Sequence, residues 1–135
     1  MKNLLLIFKA LSDQNRLRIF NALLYYDELC ACQITELLQV AGATASRHLS
    51  LMVAAGILKS RKVGRWVHFS LDGPDVLFDP VVDWIKLKLN TSDQIEKDLK
   101  TLECIMHITC EELSRKQREK TMGCTTNNQD IIHEK

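Results

Sequence analysis

No stretch of this chain approaches the roughly 20 consecutive apolar residues that a membrane span requires. The one apolar run near the start, Leu4 to Phe8, is short and has no small-residue cleavage site behind it. A cytoplasmic protein without membrane contact is therefore expected. Glycine (5 residues), proline (2) and aromatics (6%) are scarce, which leans the chain towards helix. A disulfide framework is missing as well. Five cysteines is an odd number at irregular spacing, and reducing cytosol would keep them as thiols, available for a soft ion or for redox chemistry. Acidic residues are absent from one whole segment: between Leu37 and Leu71 there is no Asp or Glu, while Arg47, Lys59, Arg61, Lys62 and Arg65 give it a local charge of +5. The rest of the chain then carries 13 basic against 17 acidic residues, so the net charge of +1 conceals a basic block in an acidic setting. Such a block is the footprint of a polyanion site, most often nucleic acid. From charge alone a solvated basic face fits equally well.

With 135 residues, 46% hydrophobic and 26% charged, the chain can build one domain with extensions. Leu4, Ile7, Phe8 and Leu11 share a helical face, and Ser12-Asp13 offers a break and an N-cap for a second helix burying Leu17, Phe20, Leu23 and Leu24. Ile34, Leu37 and Leu38 mark a short helix, Val40-Ala41-Gly42 a tight turn, and Ala45, Leu49, Met52 and Val53 a further helix ending at Gly56. Two short helices joined this way suggest a helix-turn-helix. Behind Gly56 the period becomes strand-like: Ile57–Val63 and Arg65–Leu71 form a basic hairpin around Gly64, the place of a wing. Asp79-Pro80 then starts a helix carrying Val81, Val82, Ile85 and Leu89, with Trp84 beside that face. Thr91 and Gln94 are spaced as a capping box, opening an apolar stripe through Ile95, Leu99, Leu102, Met106 and Leu113 to about residue 118. A long amphipathic helix of this kind covers either its own core or a second subunit. The expected architecture is mainly α with a small β-hairpin, a winged helix-turn-helix. The winged helix-turn-helix spans 1–90, a C-terminal helix of the same domain 91–120, and a flexible tail 121–135.

In the helix from Ala43 to Ala55, small residues at the N-terminal end permit close approach to DNA, with hydrogen-bonding groups just behind them. Thr44, Ser46 and Arg47 are the side chains aimed at bases or phosphates. His48 either joins them on a phosphate or packs inward. In the hairpin, Arg61, Lys62 and Arg65 are placed to track the phosphate backbone or enter the minor groove. An ordinary charged hairpin is the alternative, against which stands their lack of acidic neighbours in sequence.

Cys30 and Cys32 lie at the start of the first of these two helices, where the N-terminal dipole and free amides favour the thiolate, the form that binds soft ions. Residues two apart on an α-helix point to nearly opposite sides. Both sulfurs can hold one ion only if this turn is not helical or unwinds on binding. Unwinding would distort a helix that braces the DNA reader, and a coupling of roughly 1 to 3 kcal/mol already changes affinity about 5- to 150-fold.

Leu11-Ser12-Asp13-Gln14-Asn15-Arg16-Leu17-Arg18-Ile19, Glu28-Leu29-Cys30-Ala31-Cys32, Ser46-Arg47-His48-Leu49, Ala55-Gly56-Ile57-Leu58 and Gly64-Arg65-Trp66-Val67-His68-Phe69 together resemble, in order, the signatures of the ArsR/SmtB family of metal-responsive repressors, over about residues 3 to 90. The resemblance implies a homodimer, joined through the first and the C-terminal helices, that sits on a palindromic double-stranded operator and leaves when an inducer binds. It implies neither catalysis nor an organic cofactor. In the arsenic branch this element carries a third cysteine where Thr35 stands here. Arsenic(III) takes three sulfurs, which leaves Cys104 and Cys110 as candidates for the third thiolate, from the same subunit or the other; small buried hydrophobes are the alternative reading of both. Cys124 reads as incidental. The cadmium and lead branch also carries Cys-x-Cys, with further cysteines from an N-terminal extension. The zinc and nickel branch uses Asp, His and Glu on the last helices, where His107 is the only histidine before the tail. Arsenite, with antimonite, is therefore the leading inducer, and cadmium or lead the second. A thiol redox switch on the same fold is a further reading. A thiol oxidoreductase is a remote one, since no thioredoxin-like strand pattern surrounds the pair.

Overall fold

The structure is a computed structural model that describes residues 2–73 and 79–119. The tail expected from 121, with Cys124, lies outside the described residues. Among the described residues no helix is long and apolar enough to cross a membrane.

Helix α1 (Lys2–Leu11) ends at Ser12, and Asp13 caps α2 (Gln14–Tyr25) by accepting a hydrogen bond from the Arg16 amide at 3.1 Å. A two-residue strand β1 (Leu29–Cys30) leads straight into α3 (Ala31–Leu38). After Gln39, whose backbone turns left-handed at φ 56°, comes α4 (Gly42–Ala54). Strands β2 (Leu58–Val63) and β3 (Trp66–Leu71) form the hairpin. Its loop is Gly64-Arg65, closed by the Val63–Trp66 pair, with φ +62° at Gly64. A positive φ at the first loop position is what a tight type II′ hairpin requires, and glycine supplies it without strain.

Two departures from the sequence expectation matter for the site. First, the sheet has three strands in the order β1-β3-β2, with Leu29 opposite Phe69 and Cys30 opposite His68. A strand of two residues carries no periodicity, so sequence reading places only the hairpin. Second, the long C-terminal helix is two helices, α6 (Asp93–Ile105) and α7 (Cys110–Arg118), preceded by α5 (Pro80–Leu89). Thr109 stops the run because its hydroxyl accepts from the Glu112 amide at 3.1 Å, which starts a new helix rather than continuing the old one. Likewise Ser92, not Thr91, caps α6 by accepting from the Ile95 amide.

The break lets both halves face inward. Leu102, Ile105 and Leu113 are completely buried, while Met106, expected on the stripe, is exposed. Helix α6 packs on α2 and α3, and α7 lies along α3. Burial of each such side chain contributes about 1.5–3 kcal/mol. The stripe thus covers this chain's own core. A buried ion pair fixes the arrangement: Arg18 of α2 donates to both carboxylate oxygens of Asp98 on α6 (2.9 and 3.0 Å) and to the Leu37 carbonyl closing α3 (3.1 Å), and Gln94 also donates to Asp98. With its lone pairs satisfied in this way, a desolvated carboxylate is held rather than expelled.

Candidate functional site

Cys30 is the last extended residue before α3, at φ −77° and ψ 153°, and serves as its N-cap. The chain bends there, so Cys32 on the first helical turn swings beneath it and the two sulfurs lie 3.0 Å apart. Of the two conditions for convergence set out above, a non-helical turn or an unwound one, the first is met without unwinding. Gln33 secures the bend, its side-chain oxygen accepting from the Cys30 amide at 2.8 Å.

Cys110, the first residue of α7, completes a trio whose sulfurs all lie within 4.8 Å of one another. Thiolate sulfurs at about 2.3 Å from a shared metal stand roughly 3.8 Å apart, so closure on an ion needs shifts of an ångström or less. Cys104 is exposed on α6 and outside this trio. Thr35 is outside it too, its hydroxyl turned back to the Ala31 carbonyl at 2.8 Å. Helix α7 is tied to α3 by Gln117, which donates to the Cys32 carbonyl (2.9 Å) and to the Glu36 carboxylate (3.2 Å).

Cys30 and Cys32 are almost fully buried. A thiol donating to a thiolate stabilises the anion it faces. Donation by the Cys32 thiol, aided by its backbone amide, brings the Cys30 pKa down to about 5 against the opposing effect of burial. Cys32 is held protonated, chiefly by its bond to the Cys30 thiolate and then by burial. Burial raises Cys110. At neutral pH the trio is one thiolate and two thiols.

On α4, Ala45 and Leu49 face the core, Ser46 and Arg47 face solvent, and Thr44 is half-buried. The N-cap is Ala41, which offers no side-chain acceptor, and the first turn holds no acid. Its leading amides are therefore open to an anion. His48 takes the inward of its two orientations: its Nδ1 lies 3.0 Å from Nη1 of Arg16 and 4.0 Å from Asp13, so it braces α4 against the start of α2.

The wing cations are exposed, yet they do not lack acidic neighbours in space. Arg61 makes a two-point bond with Glu28 (2.7 and 3.1 Å), and Arg65 stands 3.5 Å from Glu111 and 4.8 Å above the Trp66 ring. Lys62 has no such partner among the described residues. Glu28, Glu111 and Gln117 were not singled out in the sequence, because each acquires its partner only through contacts 33 to 85 residues distant or through the fold of α7 onto the wing.

A three-stranded sheet behind two helices joined by a tight turn, with a basic hairpin, defines a winged helix-turn-helix protein, and at the start of the first of those helices three thiols, two of them buried, come together. Residues 13–60 match the family model described as bacterial regulatory protein, arsR family. The chain belongs to the ArsR family. It is 44% identical over 70 residues to the cadmium resistance transcriptional regulatory protein CadC homolog of Staphylococcus aureus, covering 52% of this chain and 58% of that protein. It is 42% identical over 65 residues to the arsenical resistance operon repressor of Escherichia coli, covering 48% and 56%. The chain thus spans less than two thirds of the length of either relative. In three dimensions it resembles the homodimeric winged helix-turn-helix DNA-binding domain Mb0332 from Mycobacterium bovis, with a TM-score of 0.57 and 21% identity, covering 66% of this chain and 82% of that one.

Proposed function

We propose that this protein is a transcriptional repressor that binds a palindromic operator as a homodimer and is released when a soft ion, arsenite or antimonite first and cadmium or lead second, joins the thiolates of Cys30, Cys32 and Cys110. The observation that carries the reading is the trio itself: three sulfurs within 4.8 Å, two of them buried, at the foot of the helix that braces α4. The number of sulfurs suits the three bonds of arsenic(III), and Cys110 takes the place left by Thr35, in cis. Thr44, Ser46 and Arg47 read the major groove, Lys62 with Arg61 and Arg65 contacts phosphate, and His48 positions α4. Nothing in this role calls for catalysis, and the cytoplasm is where operator and ion meet.

Release follows from geometry. Drawing the sulfurs of β1, α3 and α7 onto one ion fixes α3 relative to the wing, and α3 packs directly on α4. A coupling of about 1–3 kcal/mol suffices. The test is anisotropy of the DNA upstream of its own gene, titrated with protein and then with arsenite, antimonite, cadmium, lead or zinc. Cys30→Ser, Cys32→Ser and Cys110→Ser should each bind operator as the parent does but resist arsenite, whereas Cys104→Ser should behave like the parent. Ordinary release of the Cys110→Ser protein would remove α7 from the site.

A further inference from the structure

Each end of the thiol trio has a carboxylate beside it, and each carboxylate holds a wing arginine. Glu28 lies two residues before Cys30 in extended backbone, and side chains two apart in a strand share a face. Across the sheet Cys30 is opposite His68, and His68 is opposite Arg61, so one rung runs from the sulfur to the arginine. On that face Glu28 takes the Arg61 guanidinium through two bonds, with His68 Nδ1 3.9 Å away. At the other end Glu111 directly follows Cys110 and stands 3.5 Å from Arg65 at the tip of the hairpin. Neither pair is buried. Exposed carboxylate–arginine pairs are weak and exchangeable, and a phosphate oxygen can replace the carboxylate on the same guanidinium fork.

We propose that Glu28 and Glu111 are positioning residues that stand in for DNA phosphate on Arg61 and Arg65, and that closure of the thiol trio locks them there. The locking half rests on the proposed ion-release function; the competition between carboxylate and phosphate does not. In the DNA-bound state the two arginines leave their carboxylates for the backbone. When the sulfurs of Cys30, Cys32 and Cys110 are drawn together, β1 and α7 are pinned beside the wing, the carboxylates recapture the arginines, and two phosphate contacts per protomer are withdrawn. The basic block that the sequence displays is in this way an adjustable one.

The experiment compares the full chain with Glu28→Gln, Glu111→Gln and the double variant on labelled promoter duplex over a range of salt concentrations, with and without arsenite. Arsenite occupancy is measured separately by elemental analysis of the desalted protein. Glu96→Gln, which removes a carboxylate paired with Lys100 on α6, controls for net charge. Without ion, each variant should bind DNA more tightly at the parental log–log salt slope, since both arginines reach phosphate in every protein, and the control should keep the parental affinity; with arsenite, the slope of the parent should become shallower by about 0.9 for every arginine withdrawn. With arsenite, the double variant should bind the ion to the parental extent yet lose most of the release. Parental affinity without ion together with parental release in the double variant overturns the proposal while leaving the ion-release function standing. Tighter binding by the variants, with a parent that arsenite binds but does not release, upholds the carboxylate brake and overturns arsenite as the inducer.

Discussion

At the scale of single residues, the decisive feature is that three thiols share two protons and one negative charge. With the Cys30 pKa at about 5 and Cys32 and Cys110 raised, the trio should keep that state through the neutral range. The sign of the pH dependence then separates the candidate inducers. Arsenous acid arrives neutral with three hydroxyls, and three waters leave when three sulfurs replace them. Cys32 and Cys110 provide two of the protons needed, and the third comes from solution. Arsenite affinity should therefore fall by about tenfold per pH unit above pH about 5. Cadmium arrives with no base attached and expels both thiol protons, so its affinity should rise by about a hundredfold per unit over the same window. Competition titrations at several pH values measure both slopes. Arsenite binding that strengthens with pH would mean that the resting trio does not hold a single thiolate. The reactive pair was legible in the sequence as Cys30-Ala31-Cys32. Its 3.0 Å sulfur contact was not, because convergence depends on Cys30 being a cap rather than a helical residue, a boundary one position wide.

At the scale of elements, the helix-turn-helix and hairpin were readable because their apolar residues repeat over many positions: Ala45, Leu49 and Met52 on α4, and the alternation through Val67 and Phe69 on β3. What escaped is what periodicity cannot encode. The break at Thr109 is a local capping event within a continuing apolar stripe, and it alone allows α7 to turn and carry Cys110 to the pair. That placement also depends on the latch from α6 to α2. Asp98 is nearly inaccessible and bonded to Arg18 and Gln94. Its removal leaves a buried guanidinium without its counter-ion, a loss of about 3–5 kcal/mol for a pair of this kind. Asp98→Ala should lower the unfolding free energy by an amount of that order in a urea titration. Arsenite affinity should fall as α6 loosens its hold on α7. Near-parental stability would show that the latch is not what seats α6.

At the scale of the whole molecule, the apolar surface left over after folding decides how two copies meet. Because α6 and α7 bury their stripe in this chain's own core, they leave little for a partner. The large exposed apolar side chains concentrate instead on α1 and α5: Phe8 is 58% exposed, Leu5 55%, Val81 56%, Trp84 59% and Leu87 65%. Leu4, Ile7 and Phe8 of α1 line one groove with Val81, Trp84 and Ile85 of α5. A contiguous apolar face of this kind on a small protein marks an association surface. The prediction is that two copies, expected to pair through the first and C-terminal helices, meet on α1 and α5. A charge placed at the centre of such a face must be desolvated without a partner. Trp84→Glu, on a side chain that contributes little to the monomer core, should therefore give a folded monomer by sedimentation, with unchanged circular dichroism. Since two half-sites bound by one dimer are coupled through its interface, the monomer should lose affinity for the full operator far more than for an isolated half-site. Dimerisation of Trp84→Glu at the parental concentration would move the interface away from this groove.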